Sequence, residues 1–171
     1  MSEKGSGNPG AWARTLATEN GLQRQSARET LVAMGREATA TLIRLLKDPH
    51  PTVRWEAALA LKDIEDPSAG DALAQVLMDE SGDVRWVAAE ALAAIGREGL
   101  RPLLKVLVKN ADSFELREAA HVAISLLRNA DHRKMLSGVY HALKNGNPPG
   151  VVMVEAAEAM DALERRAETG A

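Results

Sequence analysis

Residues 53–64 read VRWEAALALKDI, and residues 84–95 read VRWVAAEALAAI, so the same segment returns after 31 residues. Eight of the twelve positions are identical. A third, weaker copy, LREAAHVAISLL, occupies residues 116–127. A period near 30 residues is typical of stacked helical units that bury their apolar faces against one another. The repeat therefore predicts an all-α solenoid.

Each copy carries one apolar stripe at helical spacing. With the arginine of a copy as position zero, positions −1, 3, 6, 7 and 10 fall on one face of a helix. In the central copy these positions hold Val84, Ala88, Ala91, Leu92 and Ile95. The same frame fits five copies, with position zero at Arg24, Arg54, Arg85, Arg117 and Met153. A second apolar helix is expected before each copy, near 11–18, 37–47, 69–78, 98–108 and 131–144, which makes five helix pairs.

Composition narrows the class of protein. The chain has 171 residues, no cysteine and a net charge of −3. Disulfides and thiolate metal sites are therefore excluded, and no overall attraction to nucleic acid is expected. No apolar run approaches the ~20 residues that span a bilayer, so no membrane partner is expected. We expect one cytoplasmic domain over residues 10–166, with flexible tails at 1–9 and 167–171.

These motifs resemble those of HEAT-repeat proteins, in particular the phycobilisome-lyase-like HEAT repeats. The family pattern is L-L-x-L-L-x-D-P followed by V-R-x-x-A-A-x-A-L-x-x-I-G. It matches residues 42–49 with 53–64, and residues 73–79 with 84–96. The resemblance covers residues 11–165 and implies a right-handed α-solenoid of about five HEAT-like helix pairs. It also implies that the V-R-x-x-A-A helices line the concave surface, where such solenoids usually bind.

The resemblance further implies a structural ladder of turn aspartates and helix arginines. It assigns Asp48 to Arg54 and Asp79 to Arg85. Arg117 has only Asn110 or Asp112 nearby in the sequence, and Met153 replaces the arginine of the last copy. The ladder is therefore expected to stop before the last unit.

A candidate binding surface lies on the helix face opposite the stripe, at positions 1, 2, 5, 8 and 9. Several of these positions are apolar in the middle units, where solvent is expected. Apolar residues rimmed by polar ones mark interaction surfaces, and tryptophan is a frequent anchor. The predicted partner-binding residues are Trp55, Glu56, Leu59, Trp86, Val87, Glu90, Glu118 and Val122. The alternative is that Trp55 and Trp86 cover neighbouring units and seal the stack.

Acidic residues dominate the same face and indicate the chemistry of a partner. The acids at these positions are Glu29, Glu56, Asp63, Glu90, Glu118, Glu155, Glu158 and Asp161, against one base, Lys62. An acidic groove repels phosphates, so nucleic acid is not an expected partner. It suits a protein or peptide partner, such as a basic or amphipathic helix. Self-association through the helix at 151–165 is a further possibility.

The residues predict a non-enzymatic scaffold. Deoxyhypusine hydroxylase is a HEAT-repeat enzyme whose iron is implied to lie on His-Glu pairs at positions 1 and 2. Here those positions hold Trp55-Glu56, Trp86-Val87 and Glu118-Ala119. Indole does not ligate iron, so we expect no catalytic residue, metal or cofactor. The alternative function is an auxiliary subunit of an enzyme complex, such as a bilin lyase or another modification system.

Overall fold

The structure is a computed structural model that describes residues 8–168. In these residues, helices alternate with short turns. Within those residues there is no strand, and a 3-10 turn at Pro67–Ala69 precedes the fifth helix. The helices are α1 (Pro9–Thr15), α2 (Gly21–Met34), α3 (Arg36–Leu45), α4 (Pro51–Ile64), α5 (Gly70–Val76), α6 (Gly82–Ile95), α7 (Arg97–Asn110), α8 (Phe114–Ser125), α9 (Ala130–Met135), α10 (Ser137–Lys144) and α11 (Pro149–Glu168). The helices begin and end slightly beyond the expected limits of 10 and 166. Most of both expected tails lies outside the described residues.

The helices pack in two rows, as an all-α solenoid requires. In the first row, α3 lies beside α1, and α7 lies beside α5. In the second row, α2, α4, α6 and α8 follow one another side by side. The second row contains the helices of the V-R-x-x-A-A pattern. No helix within 8–168 is both long and apolar enough to cross a membrane.

The core lies between the two rows and is built largely from alanine and leucine. The stripe alanines Ala57, Ala60, Ala88 and Ala91 have no accessible surface. Small side chains at these positions let neighbouring helices approach closely, while leucines of the first row fill the space between the rows. The buried residues form one continuous cluster from Leu16 to Leu163.

The units are punctuated by residues suited to helix ends. Gly35 and Gly96 end α2 and α6 with φ of 60° and 74° and ψ near −130°. This backbone region is essentially restricted to glycine. Glu65 stands at the same point after α4 and adopts a left-handed conformation, with φ of 54°.

The last helix pair is reversed relative to the others. α10 lies beside α8 in the second row, and α11 lies beside α7 in the first. His121 of α8 stacks on Tyr140 of α10 with ring centroids 4.9 Å apart. Arg101 of α7 donates a 2.6 Å hydrogen bond to Glu164 of α11. The prediction that the helix around Met153 repeats the second-row helix was therefore wrong, as was the single helix at 131–144, which is divided into α9 and α10.

A sequence signal for this reversal exists and was missed. The helices α2, α4, α6 and α8, and also the short α9, each follow an N-cap residue with an arginine four positions after it. The pairs are Asn20 with Arg24, His50 with Arg54, Ser81 with Arg85, Ser113 with Arg117 and Asn129 with Arg133. The first four arginines are 30 to 32 residues apart, but Arg133 follows Arg117 by only 16. No first-row helix fits into that interval, and after the short α9 the chain continues into α10, which lies beside α8.

The side chain of Arg133 makes the same local hydrogen bonds as arginines of the second row. It donates to the carbonyl oxygens of the residues six and five positions before it, Leu127 and Arg128. Arg24, Arg54 and Arg85 make the same pair of bonds in their own turns. The apolar stripe around Met153 could not reveal the row, because helices of both rows bury such a stripe.

Candidate functional site

Trp86 is the most exposed of the predicted anchors. It lies in the first turns of α6, and 53% of its surface is accessible. Its indole N–H donates to Glu90 at 3.1 Å, which satisfies the polar edge of the ring. A cavity of about 200 Å³ beside the ring is lined by Ala119 and Val122 of α8. The ring thus has one satisfied edge and an apolar space next to it.

Trp55 has the same position in the repeat but a different environment. It is half-buried and packs against the core, as does Leu59 one turn later. Val87 occupies the same position in its repeat unit as Ala119 does in the next unit. We therefore infer that Val87 fills the space beside Trp55, whereas the corresponding space beside Trp86 is open. Trp55 therefore acts mainly in packing, and Trp86 offers the accessible surface.

Two predicted binding residues are not accessible. Glu56 is only 4% exposed because Arg24 and Arg28 of α2 hold its carboxylate, at 3.3 and 2.5 Å. Val87 is 5% exposed and belongs to the core. The expectation that both face solvent was wrong, because the helix-wheel argument omitted the neighbouring second-row helices, which cover part of that face.

Three other predicted residues lie near Trp86: Glu118 and Val122 line its cavity, and Glu90 accepts a hydrogen bond from its ring. Glu90 accepts from Lys62 of α4 at 3.2 Å as well as from Trp86, so its charge is compensated. Glu118 is exposed and lines the cavity wall, and Val122 is partly buried behind it. The structure thus brings together Trp86, Glu90, Glu118 and Val122, whereas Glu56 is buried against α2.

The second-row surface is less acidic than the sequence predicted. Glu155, Glu158 and Asp161 belong to α11, in the first row. Glu56 and Glu90 are paired with bases of the chain. The reversal instead brings α10, with Tyr140, His141 and Lys144, beside α8.

The helix expected to mediate self-association is α11. Its first turns expose the apolar side chains of Val151, Met153 and Val154. Self-association through this helix stays a prediction.

The ladder residues pair one unit further along than the resemblance implied. Arg54 donates to both carboxylate oxygens of Asp79, at 2.7 and 2.9 Å, and to Glu80. The hydrogen bonds to Asp79 raise the pKa of Arg54 above its usual value, although burial alone would lower it. Toward Asp48, Arg54 bonds only the backbone carbonyl. The Asp48 carboxylate accepts from His50 instead.

The ladder weakens towards the C-terminus. Arg85 bonds the carbonyl oxygens of Asp79 and Glu80, and within residues 8–168 no carboxylate lies within 4.0 Å of it. Arg117 reaches the backbone oxygen of Asn147 at 3.2 Å, in the turn before α11. The arginines therefore share a role at the turns, but only the early ones bridge units through carboxylates.

The iron site of the hydroxylase pattern does not fit these residues. The carboxylate of Glu56 is held by two arginines, and Val87 and Ala119 have no donor atoms at the second position. In the part of the chain that the structure describes, no three histidine or acidic side chains are grouped so that they could hold a metal. We therefore derive no reaction step through iron.

A family model described as HEAT repeats matches residues 11–93 and 70–159, which together cover most of the chain. The chain belongs to the HEAT-repeat family. The paired helices and the buried second-row stripe agree with this assignment.

Two curated proteins are similar to the chain. Over 113 residues it is 30% identical to uncharacterized phycocyanin operon protein Z of Pseudanabaena tenuis, covering 63% of this chain and 55% of that protein. Over 103 residues it is 37% identical to deoxyhypusine hydroxylase-B of Oryza sativa subsp. japonica, covering 59% of this chain and 33% of that protein. The chain thus matches about half of one relative and a third of the other.

Proposed function

We propose that the chain is a non-enzymatic scaffold that binds a protein partner on its second-row surface, with Trp86 as the anchor. The observation that carries this proposal is the exposed indole ring beside an apolar cavity. Tryptophan is enriched among the few interface residues that contribute most of the binding energy. The HEAT-repeat fold supports a scaffold, since such solenoids present long surfaces built from repeated helices.

An amphipathic helix is the form of partner that this surface suits. An apolar side chain of the partner enters the space between Trp86 and Val122, and helices laid in grooves use such anchors at regular spacing. Basic groups of the partner meet Glu118 and, further along the row, Asp63. Because Glu56 and Glu90 are already paired, we propose an amphipathic helix rather than a strongly basic one.

The test compares two single alanine variants at exposed apolar residues. Trp86→Ala removes the anchor, whereas Leu22→Ala removes a 79% exposed side chain at the start of α2 and serves as the matched control. A protein captured by the immobilised wild-type chain is purified and titrated calorimetrically. We expect Trp86→Ala to weaken binding at least tenfold, as is typical of an interface hot spot, and Leu22→Ala to leave it unchanged.

The same variants distinguish binding from sealing. If Trp86 only seals the stack, Trp86→Ala lowers the free energy of unfolding as much as Trp55→Ala does, and partner affinity is the same in folded Trp86→Ala and in wild type. Either result counts against the proposal. Circular dichroism and urea unfolding of the three variants supply the comparison.

A second candidate function is an auxiliary subunit of an enzyme complex. The similarity to a protein named for a phycocyanin operon favours it. In this reading the partner on the Trp86 surface is a phycocyanin subunit undergoing modification or assembly. Co-expression tests it: wild-type chain should co-purify with a phycocyanin subunit, and Trp86→Ala should not. Equal recovery with both chains would reject this candidate.

A further inference from the structure

A second cleft lies between α8 and α10, one helix further along the second row than Trp86. It has a volume of about 430 Å³, within the range of small-ligand pockets. Its walls are apolar at Phe114, Ala142 and Leu143 and cationic at Arg117 and Lys144. Phe114 is 59% exposed, so an aromatic face is available at the edge of the cleft.

The cations of this cleft lack acidic partners. Among residues 8–168, neither Arg117 nor Lys144 has a carboxylate within 4.0 Å. Arg117 is partly buried, and its Nε is buried without a hydrogen-bond acceptor. Nε2 of His121, which also lines the cleft, is likewise buried and has no hydrogen-bond partner among the described residues. A partly buried guanidinium without a counter-charge is unfavourable, so an anion that enters the cleft is stabilised there.

Comparison with the earlier ladder arginines shows that Arg117 lacks an acidic partner. Arg24 pairs with Glu56 of the next unit, and Arg54 pairs with Asp79 of the next unit. For Arg117 the reversal of the last pair puts α10 in the neighbouring position, and α10 contributes no carboxylate. Lys144 extends over the ring of Tyr140 instead, 5.9 Å from its centroid. The backbone oxygen of Asn147 accepts one bond from Arg117 but carries no full charge, so this position in the ladder holds no counter-charge and an anionic ligand can supply it.

We propose that the cleft between α8 and α10 binds a carboxylate attached to an aromatic or apolar group. Arg117 and Lys144 compensate the charge, and Phe114 and Leu143 contact the apolar part. Glu118 stands on the wall shared with the Trp86 cavity and weakens binding by repulsion. This site goes beyond the proposed scaffold function and does not depend on it.

Titration with small probes tests the site directly. The 15N-labelled chain is titrated with 3-phenylpropionate and, as a neutral probe of the same shape, with 3-phenylpropanamide. We expect the carboxylate alone to shift the backbone amides of α8 and α10. A parallel titration with acetyl-Phe-Asp-amide shows whether a peptide carboxylate also occupies the cleft. Binding of 3-phenylpropionate or of this peptide supports the proposal.

Charge variants assign the binding to the two cations. Lys144→Gln should weaken binding of 3-phenylpropionate about threefold to fivefold, as expected for a partly exposed ion pair. Lys109→Gln, at an exposed lysine of α7, is the matched control and should change nothing. Glu118→Gln should strengthen binding about twofold because it removes a repulsive charge. Arg117→Gln should weaken it about tenfold or more, with folding checked by circular dichroism because Arg117 also bonds Asn147.

Three results would overturn the proposal. They are equal shifts with the acid and the amide, no shift of α8 and α10 with either carboxylate, or equal affinities in Lys144→Gln and Lys109→Gln. Trp86→Ala should retain the affinity for 3-phenylpropionate. If this variant loses partner binding but still binds 3-phenylpropionate, the result concerns the scaffold proposal and not the carboxylate site. Each proposal can therefore be rejected without the other.

Discussion

The first three units and the last pair of this solenoid share one kind of apolar stripe but differ in how charge is used. The buried charged residues within 8–168 are Arg54, Glu56 and Asp66, all between α4 and the turn before α5. Arg54 and Glu56 tie α4 to its neighbours through ion pairs with Asp79 and with Arg24 and Arg28, and Asp66 accepts a hydrogen bond from Thr39 of α3. In the last pair, His121 stacks on Tyr140, the ion pair between Arg101 and Glu164 is exposed, and the order of the helices reverses. The ion pairs of Arg54 and Glu56 thus lie among units that keep the regular order, whereas the reversed pair is joined to α7 by an exposed ion pair.

Removing the central ladder arginine should have the largest effect. Arg54→Ala leaves Asp79, whose side chain is 9% exposed, without its main partner, and breaking such a pair costs about 3–5 kcal/mol of unfolding free energy. Arg117→Ala loses one hydrogen bond to a backbone oxygen and should cost about 1 kcal/mol. Urea unfolding followed by circular dichroism measures both. Equal losses would mean that the ladder is no stronger in the centre than at the end.

Two glycines allow a second test of the same contrast, with a smaller effect. A Cβ on Gly99 would lie against the backbone oxygen of Leu92, which cannot move without opening the turn between α6 and α7. Gly99→Ala should therefore destabilise the chain by about 1–2 kcal/mol, despite the higher helix propensity of alanine.

At Gly138 the obstacle is the carboxylate of Glu155, the end of a flexible side chain of α11. Gly138→Ala should be neutral or stabilising by up to about 1 kcal/mol, because the carboxylate swings away and alanine favours the helix. Melting temperatures of both variants provide the measurement. A large loss at Gly138 would show that the last pair is packed as rigidly as the centre.

Acid should weaken the first units through protonation of Asp66. Burial raises the pKa of Asp66, but hydrogen bonds from the Ser68 N–H and the Thr39 hydroxyl, at 3.1 and 2.8 Å, and the charge of Arg36 bring the pKa below its usual value of 3.8. A lowered folded pKa stabilises the chain above the unfolded pKa, and this stability is lost as pH falls through the folded value. Asp66→Asn should cost about 1–2 kcal/mol at neutral pH.

The pH profile provides the control. The difference in unfolding free energy between wild type and Asp66→Asn should shrink as the pH is lowered from about 7 to about 3, because the wild-type carboxylate becomes protonated. Urea unfolding at a series of pH values measures this difference. A constant difference would show that the hydrogen-bond geometry of Asp66 contributes, but its charge does not.

Much of the fold could be predicted from the sequence, and less of the site. The stripe residues around Val84 and Leu92 are buried because the repeat period and the helical period act locally and agree at every unit. Trp55 and Trp86 were indistinguishable by position. We attribute their different exposure to the neighbour on the next helix, Val87 for Trp55 and Ala119 for Trp86, and a helix wheel does not include that neighbour. Glu56 was misplaced for the same reason, since its partners lie 28 and 32 residues away.

The repeated sequence by itself determined that the chain forms paired helices with an alanine-rich interface, because apolar spacing and helix caps act over a few residues. It also contained the shortened interval between Arg117 and Arg133, although an apolar stripe alone could not show its meaning. Only the tertiary structure decided which row each terminal helix joins, which charges are compensated and where open space adjoins an aromatic ring. Those properties depend on side chains brought together from separate helices, and contacts between distant residues leave no local periodicity in a single sequence.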